Sequence, residues 1–364
     1  IPRNEDVNGE RQDGAAYYQL TQKHARRSSA AMAYLAPIRG RRNLTRRTGA
    51  QVARIDVENG RARGVTLTDG STLRAGSEVI LSAGAIGSPR LLQLSGIGPA
   101  DHLRSLGINV VLDQPNVGEN LQDHLDLYAI CEVTGPHTYD RYAKLHNTAI
   151  AGIQYLLTRK GPVASSLFET GGFWYADPDA RSPDIQFHLG LGTGIEAGVA
   201  EMPNGGVTLN SCYLRPRSRG TVRLQSADPA AAPLIDPNYL QDPQDREMSI
   251  RGLKLTQEIL AQDPLKPFIS REHVPGPGVK TDEEYFGHIC EHSKTSHHCA
   301  GTCRMGIGDG AVVDPQLRFN GIDGLRVADN SIMPTVISSN TNAAAIMIGE
   351  KAADMISRQY GAAS

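Results

Sequence analysis

Histidine and cysteine crowd one stretch of the chain, HSKTSHHCAGTCR at 292–304, with Cys290 just upstream. Three kinds of chemistry fit it. Cys290, His292, His297, His298, Cys299 and Cys303 are nitrogen and sulfur donors of the sort zinc takes, yet there is no C-x-x-C pair and the spacings match no standard finger. The same residues could be packed as a structural cluster. The third reading is a catalytic histidine. Gly301-Thr302 turns the chain tightly and Met305-Gly306 follows at once, so an imidazole beside that turn can be presented into a cleft, where a base poised near neutral pH is useful.

Two further stretches carry candidate chemistry. GAIGSPRLLQLSGIG, from Gly84 to Gly98, reads either as a well-capped helix in a βα unit or as a helix and turn whose small residues admit a cofactor closely. Asp329-Asn330-Ser331-Ile332-Met333-Pro334, then Ser338-Ser339-Asn340-Thr341-Asn342 and a helix, reads as an N-capped helix or as a helix N-terminus aimed at an anionic group.

The elements that must position these residues follow from pattern. Residues 51–83 alternate with period two, and Asn59-Gly60 and Asp69-Gly70 supply tight hairpin turns, so a three-stranded meander is expected. Glu78–Ser82 is a short apolar run of the kind a buried parallel strand shows. A helix is expected after it, with Ser88 as N-cap, Pro89 at its first position and Gly96 beyond its end. A second short helix is expected over 99–106, ending at Gly107. Ser28–Leu35 reads as a small-residue helix able to pack on a sheet. Residues 207–226 read as two strands around a Pro/Arg/Gly connection, 249–262 as a helix, 324–334 as strand and turn, and 342–356 as an apolar helix. The division this suggests is an α/β layer in two pieces, 1–124 and 296–364, enclosing an antiparallel insertion, 125–295.

Composition bounds the rest. At about 150 residues per domain, 364 residues make roughly two domains. With 40% hydrophobic and 21% charged residues the chain is globular. No run of 18 apolar residues is present, so no membrane span is expected. A net charge of -2 argues against a bulk electrostatic grip on nucleic acid. Five cysteines make no disulfide scaffold. Residues 24–50 are basic, reading as a solvated face or a phosphate-binding edge.

Together these stretches resemble the glucose–methanol–choline (GMC) family of flavin oxidoreductases. GAIGSPRLLQLSGIG matches that family's second signature at every restricted position. SHHCAGTCRMG resembles its active-site histidine segment, the run from Ala311 to Ile356 its carboxy-terminal flavin and active-site segment, and PNVGENLQDHL (115–125) another family block. FETGGF (168–173) and HHCAGTC resemble the choline-dehydrogenase-like branch most.

The resemblance implies an α/β (mixed α+β) fold. It would be a partial, discontinuous FAD-binding Rossmann-like domain (1–124 and 296–364) carrying an antiparallel substrate-binding domain (125–295). It implies FAD as cofactor and oxidation of a small-molecule alcohol, with oxygen or another acceptor taking the electrons. His298 would be the base, with hydride passing to flavin N5, and Asn340 the second active-site residue. Asp329 would lie at the pyrophosphate and ribityl region, with Asn330 also binding the cofactor, His297, Asn342 and Ala343 near the flavin, and Val52 at the adenine side through its backbone. Glu169 would face the substrate.

One departure stands out. The family's amino-terminal G-x-G-x-x-G is not found, and Gly306, Gly308 and Gly310 come near it but fail the spacing. The polar opening IPRNEDVNGERQDG begins without Met and shows no signal-peptide pattern. The first βαβ unit is therefore expected outside residues 1–364, even on another chain. The alternatives to an active enzyme are a catalytically incomplete member of the family, or a metal-binding module at 290–303.

Overall fold

The computed structural model describes residues 1–193, 202 and 204–361. The fold mixes helices with several sheets and divides into two units, each with its own core.

The first unit comprises residues 1–44, 125–214 and 243–296. It is built on a seven-stranded sheet whose strands run, in space, Gly14–Tyr17, Thr170–Trp174, Ile185–Gly190, Gly206–Tyr213, Leu125–Val133 and Ile269–Val274. Lys294–Thr295 pairs with the start of Leu125–Val133. All pairings are antiparallel. Alternation along the central strand does the sorting. Ala129, Cys131 and Val133 join Phe187, Leu209 and Leu260 of the helix Pro243–Leu260 in one cluster. Tyr128 and Ile130, from the other face, join Met202 and Val274.

The second unit comprises 45–124, 215–242 and 297–364. The expected meander is present as Val52–Glu58, Arg61–Leu67 and Thr72–Arg74. Asn59 (φ 52°) and Gly60 (φ 73°) both take the left-handed conformation that a tight hairpin turn requires. Val79–Leu81 pairs in parallel with Leu325–Val327. Burial there is partial, because the ladder has two strands and Ile80 is 46% exposed. The helix Asn342–Tyr360 adds Ile348 and Ala352 to a core that includes Leu92, Ile97, Val312, Val327 and Ile332.

Two assignments differ from the division expected from the sequence. Residues 1–44 group with the sheet unit because Gly14–Tyr17 pairs with Thr170–Phe173. The approach is close: a Cβ on Gly172 would sit 2.6 Å from the Gly14 carbonyl oxygen. Residues 215–242 group with the other unit because Thr221–Arg223 pairs with Leu234–Asp236 rather than with Gly206–Tyr213. Gln93 Nε2 donates to the Val222 carbonyl at 2.9 Å, and Arg90 donates to the carbonyls of Pro229 and Ala231. The segment 28–35 also departs from expectation. A helical turn is present, Ala31–Leu35 of π type running on into Ala36–Ile38, but it has no buried residue and Met32 is 58% exposed.

The helix after the parallel strand runs Gly84–Leu94, so Ser88 is not its N-cap and Pro89 lies inside it. Two contacts reverse the expectation. The Ser88 hydroxyl donates to Asp329 Oδ2 at 2.5 Å. Pro89 cannot donate to the Ala85 carbonyl four residues back, and the buried Thr302 hydroxyl donates there instead, at 2.6 Å. Thr302→Val is therefore expected to cost about 1–3 kcal/mol, the penalty of a buried acceptor left without its donor. An unchanged urea midpoint would show that the carbonyl does not need the hydroxyl. Gly96 does end the helix, at φ 78°, where a Cβ would lie 2.3 Å from the Asn109 carbonyl oxygen.

Among the described residues no helix is long and apolar enough to cross a membrane.

Candidate active site

The site lies in the second unit, where two loop segments meet. Gln122 and Ala300 exchange backbone hydrogen bonds at 3.0 and 2.9 Å in an antiparallel bridge. Counting two residues outward along each segment brings His124 opposite His298, on the same side by the period-two rule. Their rings meet edge to face, with centroids 5.1 Å apart and planes at 84°, and the two Nδ1 atoms are 2.9 Å apart. His298 Nε2, on the other edge, is 3.0 Å from Asn340 Nδ2. His124 is fully buried and His298 7% exposed, while Asn340 lies at the surface.

Three local features shape this loop. His297 is left-handed at φ 60°, uncommon for a residue with a side chain, and its side chain is exposed where that of His298 is buried. Gly301, at φ 93°, passes so near Asn120 that a Cβ would lie 2.5 Å from the Asn120 carbonyl oxygen. Asp123, buried, is the hub. Its Oδ1 accepts the backbone N–H of His298 at 2.7 Å and of His124 at 3.0 Å, and its Oδ2 accepts the Tyr239 hydroxyl. Burial, then the Asp123 charge and its hydrogen bond, push the Cys299 thiol up to about 12. Cys299 is thus a protonated thiol at neutral pH and no nucleophile.

The other residues singled out from the sequence are placed as follows. Asp329 is buried with its carboxylate engaged inside the protein. Oδ1 accepts from Ser331 N–H at 2.8 Å, and Oδ2 from Gly84 N–H at 2.9 Å and the Ser88 hydroxyl. Any cofactor contact at that residue would have to come from its backbone or share those oxygens. Asn330 Oδ1 is buried with no hydrogen-bond partner among the described residues. Asn342 and Ala343 form the exposed first turn of the helix Asn342–Tyr360, whose N-cap residue Thr341 makes no side-chain cap bond. Val52 lies on Val52–Glu58, an edge strand of its sheet. Glu169 belongs to the first unit, where its Oε1 accepts from the Tyr139 hydroxyl at 3.3 Å.

No three histidine, cysteine or acidic side chains converge to hold a metal ion among the described residues. Cys290 and His292 sit on the exposed part of the helix Asp282–His292, whereas Cys303 is fully buried in the core of the second unit.

His124 and Asp123 were not singled out as site residues. The segment PNVGENLQDHL drew notice only as a block, and an Asp-His pair before an apolar strand is a faint signal. What assigns them is the 122/300 register, a long-range pairing that spacing does not reveal.

Comparison with known proteins identifies the family. Residues 1–126 match the amino-terminal GMC oxidoreductase domain and residues 216–349 the carboxy-terminal one. An alcohol dehydrogenase [acceptor] of Pseudomonas putida is 41% identical over 372 aligned positions, covering 100% of this chain and 67% of that protein. An oxygen-dependent choline dehydrogenase of Rhizobium meliloti (strain 1021) is 42% identical over 358, covering 97% of this chain and 65% of that one. The crystal structure of pyridoxine 4-oxidase from Mesorbium loti superposes with a TM-score of 0.86 at 32% identity, over 100% of this chain and 67% of the other. The chain belongs to the GMC oxidoreductase family, a family of FAD-dependent oxidoreductases, and is choline-dehydrogenase-like within it. It spans about two thirds of the length of these relatives.

Proposed function

We propose that the protein oxidises an alcohol to an aldehyde or ketone with FAD, and that His298 is the base. The observation carrying this reading is the His298–Asn340 pair, an imidazole nitrogen and an amide 3.0 Å apart. An alcohol oxygen that took the place of this direct contact would meet a proton acceptor in His298 Nε2 and a hydrogen-bond donor in Asn340 Nδ2.

The residues present fit FAD. A buried acceptor without a partner, Asn330 Oδ1, suits a hydroxyl or N–H donor. The helix turn at Asn342 and Ala343, without a side-chain cap, suits an electronegative edge. Val52, on an edge strand, offers backbone groups to an adenine. The electron chemistry would be supplied by bound FAD, as the hydride acceptor.

The chain's own residues then divide the remaining work. His298 Nε2 takes the hydroxyl proton. Asn340 Nδ2 orients the oxygen and keeps its negative charge partly compensated as the proton leaves. Asp123, holding both histidine backbones, keeps the imidazole from drifting out of line.

Asn340→Ala is expected to lower kcat by less than loss of the base does, with the flavin retained. Steady-state kinetics with a visible spectrum check it. Loss of the flavin band in that variant would make Asn340 a cofactor-binding residue and remove the pair from the chemistry.

A further inference from the structure

We propose that His124 is a positioning residue that selects the tautomer of His298, and so decides which of its nitrogens can act as base. This rests on the reading of His298 given above.

The two Nδ1 atoms are 2.9 Å apart between two buried rings. That separation admits one proton. Two N–H groups pointed at each other would clash, and two bare lone pairs would repel. Two arrangements satisfy it. In the first, His298 carries its proton on Nδ1 and donates to His124, whose own proton is then on Nε2; His298 Nε2 is bare. In the second, His124 donates from Nδ1 to His298, whose proton is forced onto Nε2, and the nitrogen beside Asn340 can accept nothing.

The position of Asn340 decides between them. Its amide nitrogen, a donor only, faces His298 Nε2 at 3.0 Å. A donor there requires a bare Nε2, and hence the first arrangement. The arrangement also survives catalysis. Protonating Nε2 gives an imidazolium whose Nδ1–H still donates to His124, so the partner need not rearrange. Backbone anchoring holds the pair in place: Asp123 Oδ1 accepts the N–H of residues 124 and 298 together.

Groups that accept a hydrogen bond from the far nitrogen of a metal-bound imidazole fix its tautomer in the same way. Here the partner at Nδ1 is a second imidazole rather than a carboxylate.

The test uses the holoprotein labelled with 15N-histidine, without substrate. Nitrogen shifts and two-bond couplings are expected to show His298 protonated at Nδ1 and bare at Nε2, and His124 protonated at Nε2. In His124→Phe, His298 is expected to lose that single tautomer and kcat to fall roughly 10–100-fold, the usual cost of removing such an orienting partner. In His124→Asn, whose side-chain oxygen can accept the Nδ1–H, tautomer and most of the activity are expected to return. A wild-type His298 protonated at Nε2 overturns the proposal, as does a His124→Phe protein whose His298 keeps its Nδ1–H signature. If the tautomers behave as stated but His298→Ala turns over normally, the assignment of the base fails while the coupling stands.

Discussion

His298→Ala is expected to lower kcat by about 10²–10⁴-fold, the span a positioned general base contributes, and to leave the flavin bound. The imidazole meets His124 at Nδ1 and Asn340 at Nε2. The loop that carries it is held from outside the side chain, by its own backbone N–H on Asp123 and by the 122/300 bridge. Removing the ring therefore removes the base without releasing the loop, and the loss falls on turnover. Steady-state kinetics on a protein with full flavin content checks this. Turnover within a factor of two or three of wild type would take His298 out of the mechanism.

Arg326→Met is expected to destabilise the protein by about 3–5 kcal/mol, the cost of leaving a buried charge without its partner. The guanidinium is 1% exposed; its Nε donates to Glu78 Oε2 at 2.6 Å, with the Glu78 side chain 6% exposed. The rest of the guanidinium donates to the Gln316 carbonyl and to Gln359 Oε1. Glu78 Oε1 is buried with no partner among the described residues, so the carboxylate depends on the arginine. The pair ties the start of the parallel ladder, Val79–Leu81 with Leu325–Val327, to the helix Asn342–Tyr360. The double variant Glu78→Met/Arg326→Met is expected to recover much of the loss, because it removes both charges. Urea unfolding of both variants checks it. A single variant as stable as wild type would mean the pair is solvated in solution.

Local structure was legible where local rules decide it. The meander followed from period two and its turn residues. Gly96 and Gly107 mark helix ends at left-handed positions. The expectations for Ser88 and Ile80 failed because pairing with distant segments decides those positions. Ser88 bonds Asp329, 241 residues away. Residues 1–44 and 215–242 changed sides for the same reason: strand pairing across long separations is not written in the paired segments. In the site, His298 and Asn340 were legible through family resemblance and stand in hydrogen-bond contact. His124 and Asp123 were not, since only the register of two loops brings them there.

The most direct test of alcohol oxidation through His298 is the visible spectrum of the purified protein, taken before and after anaerobic addition of primary alcohols that include choline and pyridoxine. A flavin band is expected that bleaches with at least one alcohol, and in His298→Ala the same band is expected to persist on that timescale. A protein without a flavin band, or a band that bleaches equally fast in the variant, would contradict the account.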